Sequence, residues 1–189
     1  MFFSSRSFCD TSKPMSHPLE NYRHLLVRVD ALCRAIETAL AEQITCRAGC
    51  SSCCTAITIF PVEAAALRHE LASLSCDRRI EIQEHVSAHD NGERCPLLFN
   101  RQCLLYAARP IICRTHGLPI VYSDQEERTS DCCPLNRGDG QPIPGTHVID
   151  LDTLNTLLVS VNALYLRQSG MKASVERFTI AKALREPLI

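Results

Sequence analysis

The sequence predicts a mainly α protein, a small helical domain around a loop-rich cysteine centre with little β structure. Two observations favour this fold class. Apolar stripes with helical spacing occur near both ends of the 189-residue chain, and regular periodicity disappears between about 95 and 146. That middle region is rich in Cys, Pro and Gly, so we expect its backbone to be held by something other than a ladder of hydrogen bonds.

The N-terminal half contains three predicted helices. Residues 19–43 carry apolar side chains at steps of three and four, the pattern of an amphipathic helix. After the extended stretch "TAITIF", Pro61 suits a first helical position. Glu63 then lies near the positive end of the helix dipole, and this interpretation is favoured over a metal ligand. Residues 76–89 predict a further short helix, which "HDNGE" ends.

The C-terminal part predicts two more helices and completes a single domain. Residues 151–168 form the second strong apolar stripe, closed by Gly170. A last helix is predicted at roughly 174–185. We interpret residues 1–17 as a disordered leader. Residues 18–189 are predicted to form one domain, with a motif core at 46–135 and C-terminal helices within 151–185.

Composition and charge restrict the possible partners. A formal net charge of −1 argues against nucleic acid or an anionic membrane held by bulk electrostatics. No apolar run approaches the ~20 residues needed to cross a bilayer. The N-terminus shows no secretory signal, which predicts a cytoplasmic protein in a reducing compartment, where disulfides are uncommon. Twelve cysteines in such a chain are better explained by metal binding.

Nine of the cysteines are candidate metal ligands. Four crowd into "CRAGCSSCC" and five punctuate the irregular middle; zinc ions and iron–sulfur clusters each typically take four such thiolates. Metal binding can also supply folding free energy, on the order of 10 kcal/mol, to a segment without an apolar stripe. We expect the ligands to be a subset of these nine: Cys46, Cys50, Cys53, Cys54, Cys95, Cys103, Cys113, Cys132 and Cys133.

Two adjacent pairs, Cys53–Cys54 and Cys132–Cys133, raise a geometric question. Neighbouring residues in an extended chain point to opposite sides, so both members ligate only with a bent backbone or two nearby metal atoms. Otherwise one member is a packing thiol or a free thiol near the metal. His116, three residues after Cys113, is a possible further ligand, the alternative being a supporting or surface histidine.

The ordered cysteine motifs resemble a known family. "CRAGCSSCC", "CPLLFNRQCLLYAARPIICRTHGLP" and "DCCPLN" are together similar to the YkgJ-type cysteine-cluster proteins of bacteria, described as a zinc- or iron-chelating domain. The resemblance covers roughly 46–135. It implies a metal cofactor, zinc or an iron–sulfur cluster. A distant relative, the FliB-type flagellin lysine N-methylase, carries a similar pattern and an iron–sulfur cluster, which inclines the choice slightly towards iron–sulfur.

Two arginines in the family pattern have a predicted supporting role. A metal bound by four thiolates leaves negative charge that is costly to bury without partners. Arg109 and Arg114 can supply positive charge and N–H donors to sulfur or to backbone carbonyls, the alternative being ordinary surface ion pairs. Pro110 is predicted to start the short turn that presents Cys113, and Tyr106 is predicted to pack.

The sequence therefore predicts a metal-binding protein with a cysteine-ligated zinc or iron–sulfur centre. One alternative is a metal- or cluster-dependent transferase resembling the lysine methylase, and another is a metal carrier. The spacing C-x3-C-x2-C also occurs in radical enzymes, but the strand–helix succession of their fold is missing here. No nucleophile–base–acid set stands out, so no catalytic residue is assigned. Cys33 lies on an apolar helical stripe and is predicted to be core, with Cys9 and Cys76 incidental.

Overall fold

The computed structural model describes residues 17–47, 49–125, 127–136, 143–172 and 176–185. Helices account for 53 % of this described part and strands for 14 %, which confirms the mainly α prediction. Most of the predicted leader lies outside the described residues. The helices are α1 (Glu20–Ala39), α2 (Pro61–Ser73), α3 (Cys76–Ala88), α4 (Ile111–Thr115), α5 (Leu151–Gln168) and α6 (Ile180–Arg185).

In the described part of the chain, seven short strands form three small sheets. They are β1 (Thr58–Ile59), β2 (Leu98–Phe99), β3 (Gln102–Cys103), β4 (Ile120–Asp124), β5 (Glu127–Asp131), β6 (Ile149–Asp150) and β7 (Phe178–Thr179). Strand β1 pairs with β7 and β2 with β3, both antiparallel. In the third sheet the order is β5-β4-β6, with β4 antiparallel to β5 and parallel to β6.

The helix ends follow from local chemistry. Helix α2 begins at Pro61, and the Glu63 carboxylate accepts a hydrogen bond from the Phe60 N–H at 3.0 Å. The Asp150 carboxylate caps α5 by accepting from the Thr153 N–H at 2.9 Å. Gly170, at φ 68°, follows the end of α5 in the left-handed conformation that glycine adopts without strain. Pro61, Glu63 and Gly170 were predicted from the sequence as helix-end signals, and the Asp150 cap was not.

Two apolar clusters form the core. The first packs α1 against α5 and α4, with Tyr22, Ile36 and Ile111 among its buried members. The second packs α2, α3 and α6 around Leu67 and Ile82. Within the described ranges, no helix is both long and apolar enough to cross a bilayer.

Two expectations were wrong in detail. The middle region does contain a hydrogen-bonded ladder, the β4–β5 hairpin, whose strands are five residues each. It was missed because its residues are mostly half-exposed and polar, so no apolar stripe marks it. The last helix is also shorter than predicted: α6 begins at Ile180, because Phe178 and Thr179 are extended and pair with β1. Residues 173–175 lie outside the described part of the chain.

Candidate metal centre

Backbone pairing brings the end of the first cysteine cluster beside the start of the middle region. Thr55 forms an antiparallel bridge with Arg94, and the Cys95 N–H donates to the Cys54 carbonyl at 3.1 Å. The segments on either side of this bridge therefore run against each other. Cys54 and Cys95, 41 positions apart in sequence, become neighbours.

The β2–β3 hairpin then folds Cys103 back towards Cys95. Cys103 lies opposite Leu98 in the hairpin register. The two turn residues, Asn100 and Arg101, have φ of 47° and 64°, as a two-residue type I′ hairpin turn requires. Both Cys95 and Cys103 pack against the second apolar cluster. The hairpin thus places two thiols on one side of the core.

Helix α4 supplies the fourth thiol of this group. Cys113 lies in its first turn, after Pro110, with its N–H donating to the Pro110 carbonyl at 3.0 Å. The Glu63 carboxylate is buried and accepts the Ile111 N–H at 3.1 Å, which fixes the start of α4 against the start of α2. We call Cys54, Cys95, Cys103 and Cys113 the inner set.

The inner thiols share one electrostatic environment. Burial, followed by the neighbouring thiols Cys95, Cys103 and Cys54, raises the pKa of Cys113 to about 12. Burial also raises the pKa of Cys95 and of Cys103, partly offset by hydrogen bonds from the backbones of Leu97 and Leu105 respectively. Without a cation these thiols remain protonated near neutral pH, and a bound metal would reverse that preference.

Arginines surround the inner set, although only one of them is a predicted supporting residue. Arg109 lies 3.6 Å over the Tyr106 ring, donates to the Cys113 carbonyl at 3.5 Å, and its charge lowers the pKa of Cys103 and Cys113. Arg94, which sequence reasoning missed, likewise lowers the pKa of Cys54 and Cys95. It directly precedes Cys95, and this adjacency was the available signal.

Arg114 points away from the thiols and ties helices together. Its guanidinium forms a two-point ion pair with Asp30 of α1, with both N–O distances 2.8 Å, and donates to the carbonyls of Arg109 (2.7 Å) and Ala107. The predicted donation to backbone carbonyls is therefore present. These contacts hold α4 on α1.

The other five clustered cysteines form a second group, drawn from the 46–54 loop and the residues after β5. A surface pocket of about 310 Å³ is lined by Cys53, Cys132 and Cys133, together with His116 and Asp131. Cys46 lies next to it, and Cys50 lies close enough for its charge to raise the pKa of both Cys46 and Cys53, after burial itself. We call Cys46, Cys50, Cys53, Cys132 and Cys133 the outer set.

Asn136 and Gly117 position Cys46, and neither was predicted. Buried Asn136 donates from Nδ2 to the Cys46 Sγ at 3.2 Å and to the Gly117 carbonyl at 2.7 Å. Its Oδ1 accepts the Thr45 N–H at 2.9 Å. Gly117 has φ 95°, and a Cβ there would lie 2.7 Å from the Cys46 Sγ. The available signal for Gly117 was a glycine just beyond a short helix.

Two further arginine contacts hold the cysteine loop in place. Arg94 donates to the Ser51 carbonyl at 2.9 Å, and Arg101, in the hairpin turn, donates to the Gly49 carbonyl at 3.0 Å. The loop is thereby fixed by side chains from the same hairpin region that supplies inner thiols.

Two of the three remaining cysteines, Cys33 and Cys76, lie in the described part of the chain. Cys33 is buried in the first apolar cluster, which confirms the core prediction. Cys76 is exposed at the start of α3. Cys9 lies outside the described residues.

The thiols are neighbours without being in coordination geometry. In the described ranges, no three Cys, His, Asp or Glu side chains converge closely enough to hold a metal ion as they stand. The backbone brings the inner cysteines together, and rotation about the Cα–Cβ bond between staggered rotamers is the movement that would bring their sulfurs onto one centre.

The fold and the site define a small helical protein in which separate segments gather soft sulfur donors. Residues 45–134 match the family model CxxCxxCC, described as "Putative zinc- or iron-chelating domain". The resemblance seen in the sequence is confirmed over these residues. The match supports metal binding. Comparison with curated proteins and with solved structures finds no match for the chain.

Proposed function

We propose that this is a metal-binding protein whose inner set holds one thiolate-ligated centre, a zinc ion or an iron–sulfur cluster. The observation that carries the proposal is the convergence of Cys54, Cys95, Cys103 and Cys113 from three separate segments. The Cys95–Cys54 backbone hydrogen bond and the β2–β3 register join two of these segments. Four thiolates are the usual complement of either centre.

The surroundings fit a negatively charged centre. Backbone hydrogen bonds from Leu97 and Leu105 reach the sulfurs of Cys95 and Cys103. The positive charge of Arg94 lowers the pKa of Cys54 and Cys95. The positive charge of Arg109 lowers the pKa of Cys103 and Cys113. Such donors and cations stabilise thiolates bound to a metal and tune the centre. When bound, the metal would cross-link the 46–54 loop, the β2–β3 hairpin and α4.

A structural role follows from the way these segments are held. The segment between Arg94 and Cys113 contains only two-residue strands and the start of α4 as regular structure, apart from a single 3₁₀ turn. A structural zinc site contributes about 10–16 kcal/mol of binding free energy at neutral pH, which becomes folding free energy where the ligand set forms on folding. Removing the metal should therefore loosen this region.

The test compares Cys113→Ser and Cys95→Ser with Cys76→Ser as the matched control, since Cys76 is exposed and belongs to neither set. Metal and acid-labile sulfide are measured on anaerobically purified protein. We expect the control to keep its metal and both inner variants to lose it, with lower stability. Retention of full metal content by both inner variants contradicts the proposal.

The same samples distinguish the two centres. Brown protein whose iron is matched by acid-labile sulfide identifies a cluster, whereas colourless protein with stoichiometric zinc identifies a d¹⁰ site without redox chemistry. Neither the methylase-like transferase nor the metal carrier gains a specific observation from the described residues, so both stay as predictions.

A further inference from the structure

Five clustered cysteines remain once the inner set is assigned, and three of them line one pocket. Cys53 reaches this pocket from the 46–54 loop, and Cys132 and Cys133 reach it from the end of β5. His116 lines the same pocket from the end of α4. Three separate segments therefore contribute three cysteines and a histidine to the lining of one pocket.

The adjacent cysteines of the first cluster have different further neighbours. Cys53 lines the pocket. Cys54 accepts the backbone hydrogen bond of Cys95; burial raises the pKa of its thiol, and among the neighbouring thiols Cys95 raises it most. The chain turns at this pair, with the Cys54 N–H donating to the Ser51 carbonyl at 3.1 Å, and the two adjacent thiols are hydrogen-bonded to each other. Cys53 and Cys54 therefore mark the boundary between the outer set and the inner set.

Cys46 is held beside the same pocket by a dedicated contact. A Cβ at Gly117 would lie 2.7 Å from the Cys46 Sγ and 3.8 Å from the Cys133 Cβ. Cys46 and Cys133 therefore both lie beside Gly117. The Asn136 amide donates to the Cys46 sulfur, and its own backbone N–H donates to the Cys133 carbonyl at 2.8 Å. Asn136 thus links the two ends of the outer set.

We propose that the outer set and His116 form a second metal site, separate from the inner centre, for a thiophilic divalent ion such as Zn²⁺. The inference rests on the proposed function only in assigning the inner thiols to their own metal. Thiolate and imidazole donors suit such ions. Because the pocket opens at the surface, water can complete the coordination, and the ion should exchange more readily than the inner one.

The experiment uses Co²⁺ as a spectroscopic probe on reduced, full-length protein under anaerobic conditions. After a mild EDTA wash, Co²⁺ is titrated while thiolate-to-cobalt charge transfer and d–d bands are recorded, and bound metal is counted. The double variant Cys132→Ser/Cys133→Ser is compared with wild type, with helical circular dichroism as the folding check. We expect the variant to bind one Co²⁺ fewer and to keep its resident inner metal.

A second variant tests the imidazole. His116→Ala should shift the d–d bands of the outer cobalt and weaken its binding, leaving the inner metal unchanged. Equal Co²⁺ binding by wild type and the double variant overturns the second site while the inner centre stands. Loss of both metals in the folded double variant means one shared site, which also overturns it. Wild type that holds no metal and binds no Co²⁺ overturns the proposed function itself.

Discussion

Gly117 is the position at which one methyl group tests the geometry around Cys46 most sharply. At φ 95°, any side chain experiences a left-handed backbone penalty of about 1–2 kcal/mol. A Cβ would also lie 3.3 Å from the Asn136 Nδ2 and 2.7 Å from the Cys46 Sγ. Asn136 is buried and held at both ends of its amide, so the exposed Cys46 side chain is the group that has to move.

Moving Cys46 breaks its hydrogen bond with Asn136, which costs about 1 kcal/mol more. Gly117→Ala should therefore lose about 2–3 kcal/mol of unfolding free energy in total, from the backbone and hydrogen-bond terms together. The control is Gly170→Ala, since Gly170 has φ 68° and nothing within 4 Å of its Cβ position. Urea unfolding should show Gly117→Ala to be less stable than this control by about 1 kcal/mol. Equal stability of the two variants would refute the reasoning.

Three other substitutions test the supports of the site. Arg114→Ala removes the ion pair with Asp30 and two bonds to carbonyls, so we expect about 2–3 kcal/mol lost on urea unfolding. Glu63→Gln leaves one of two buried N–H groups without its acceptor, at a cost of about 1–3 kcal/mol. Burial raises the pKa of Glu63 above its ordinary 4.5, so the folded state holds this proton more tightly. Wild-type stability should then fall as pH rises from about 4.5 through the raised value, a slope that the variant lacks. Cys33→Ser should cost about 1 kcal/mol, since it places a hydroxyl in the first apolar cluster, and should leave metal content unchanged.

A specific result would contradict each of these three predictions. Arg78→Ala, which breaks an exposed pair with Glu81, should change stability by less than about 1 kcal/mol; a loss as large as that of Arg114→Ala contradicts the special role of Arg114. Identical pH profiles for wild type and Glu63→Gln contradict the burial argument. Loss of metal on Cys33→Ser means that Cys33 is a ligand after all.

The helices could be predicted because their signals are local. The apolar stripe at 151–168 gives α5 with the predicted bounds, and Pro61 begins α2 as its fixed φ favours. The burial of Cys33 likewise follows from its place on a helical stripe. The hairpin β4–β5 could not be found this way, because half-exposed polar strands carry no strong period-two pattern.

The division of the cysteines could not be predicted, because it depends on contacts between distant segments. Nothing local shows that Cys54 neighbours Cys95 or that Cys53 shares a pocket with Cys132. The sequence raised the question through the adjacent pair, and the backbone pairing at Thr55–Arg94 places Cys54 beside Cys95. Asn136 was missed for the same reason: its partners Thr45 and Cys46 lie about 90 positions away.

X-ray absorption at the zinc or iron edge tests the central claim most directly. The sample is anaerobically purified Cys132→Ser/Cys133→Ser protein, in which the inner set is intact. We expect stoichiometric metal with sulfur as its only ligand atom type, at about 2.3 Å if the metal is zinc. A first shell dominated by oxygen or nitrogen, or a folded protein without metal, contradicts the assignment of Cys54, Cys95, Cys103 and Cys113 as ligands.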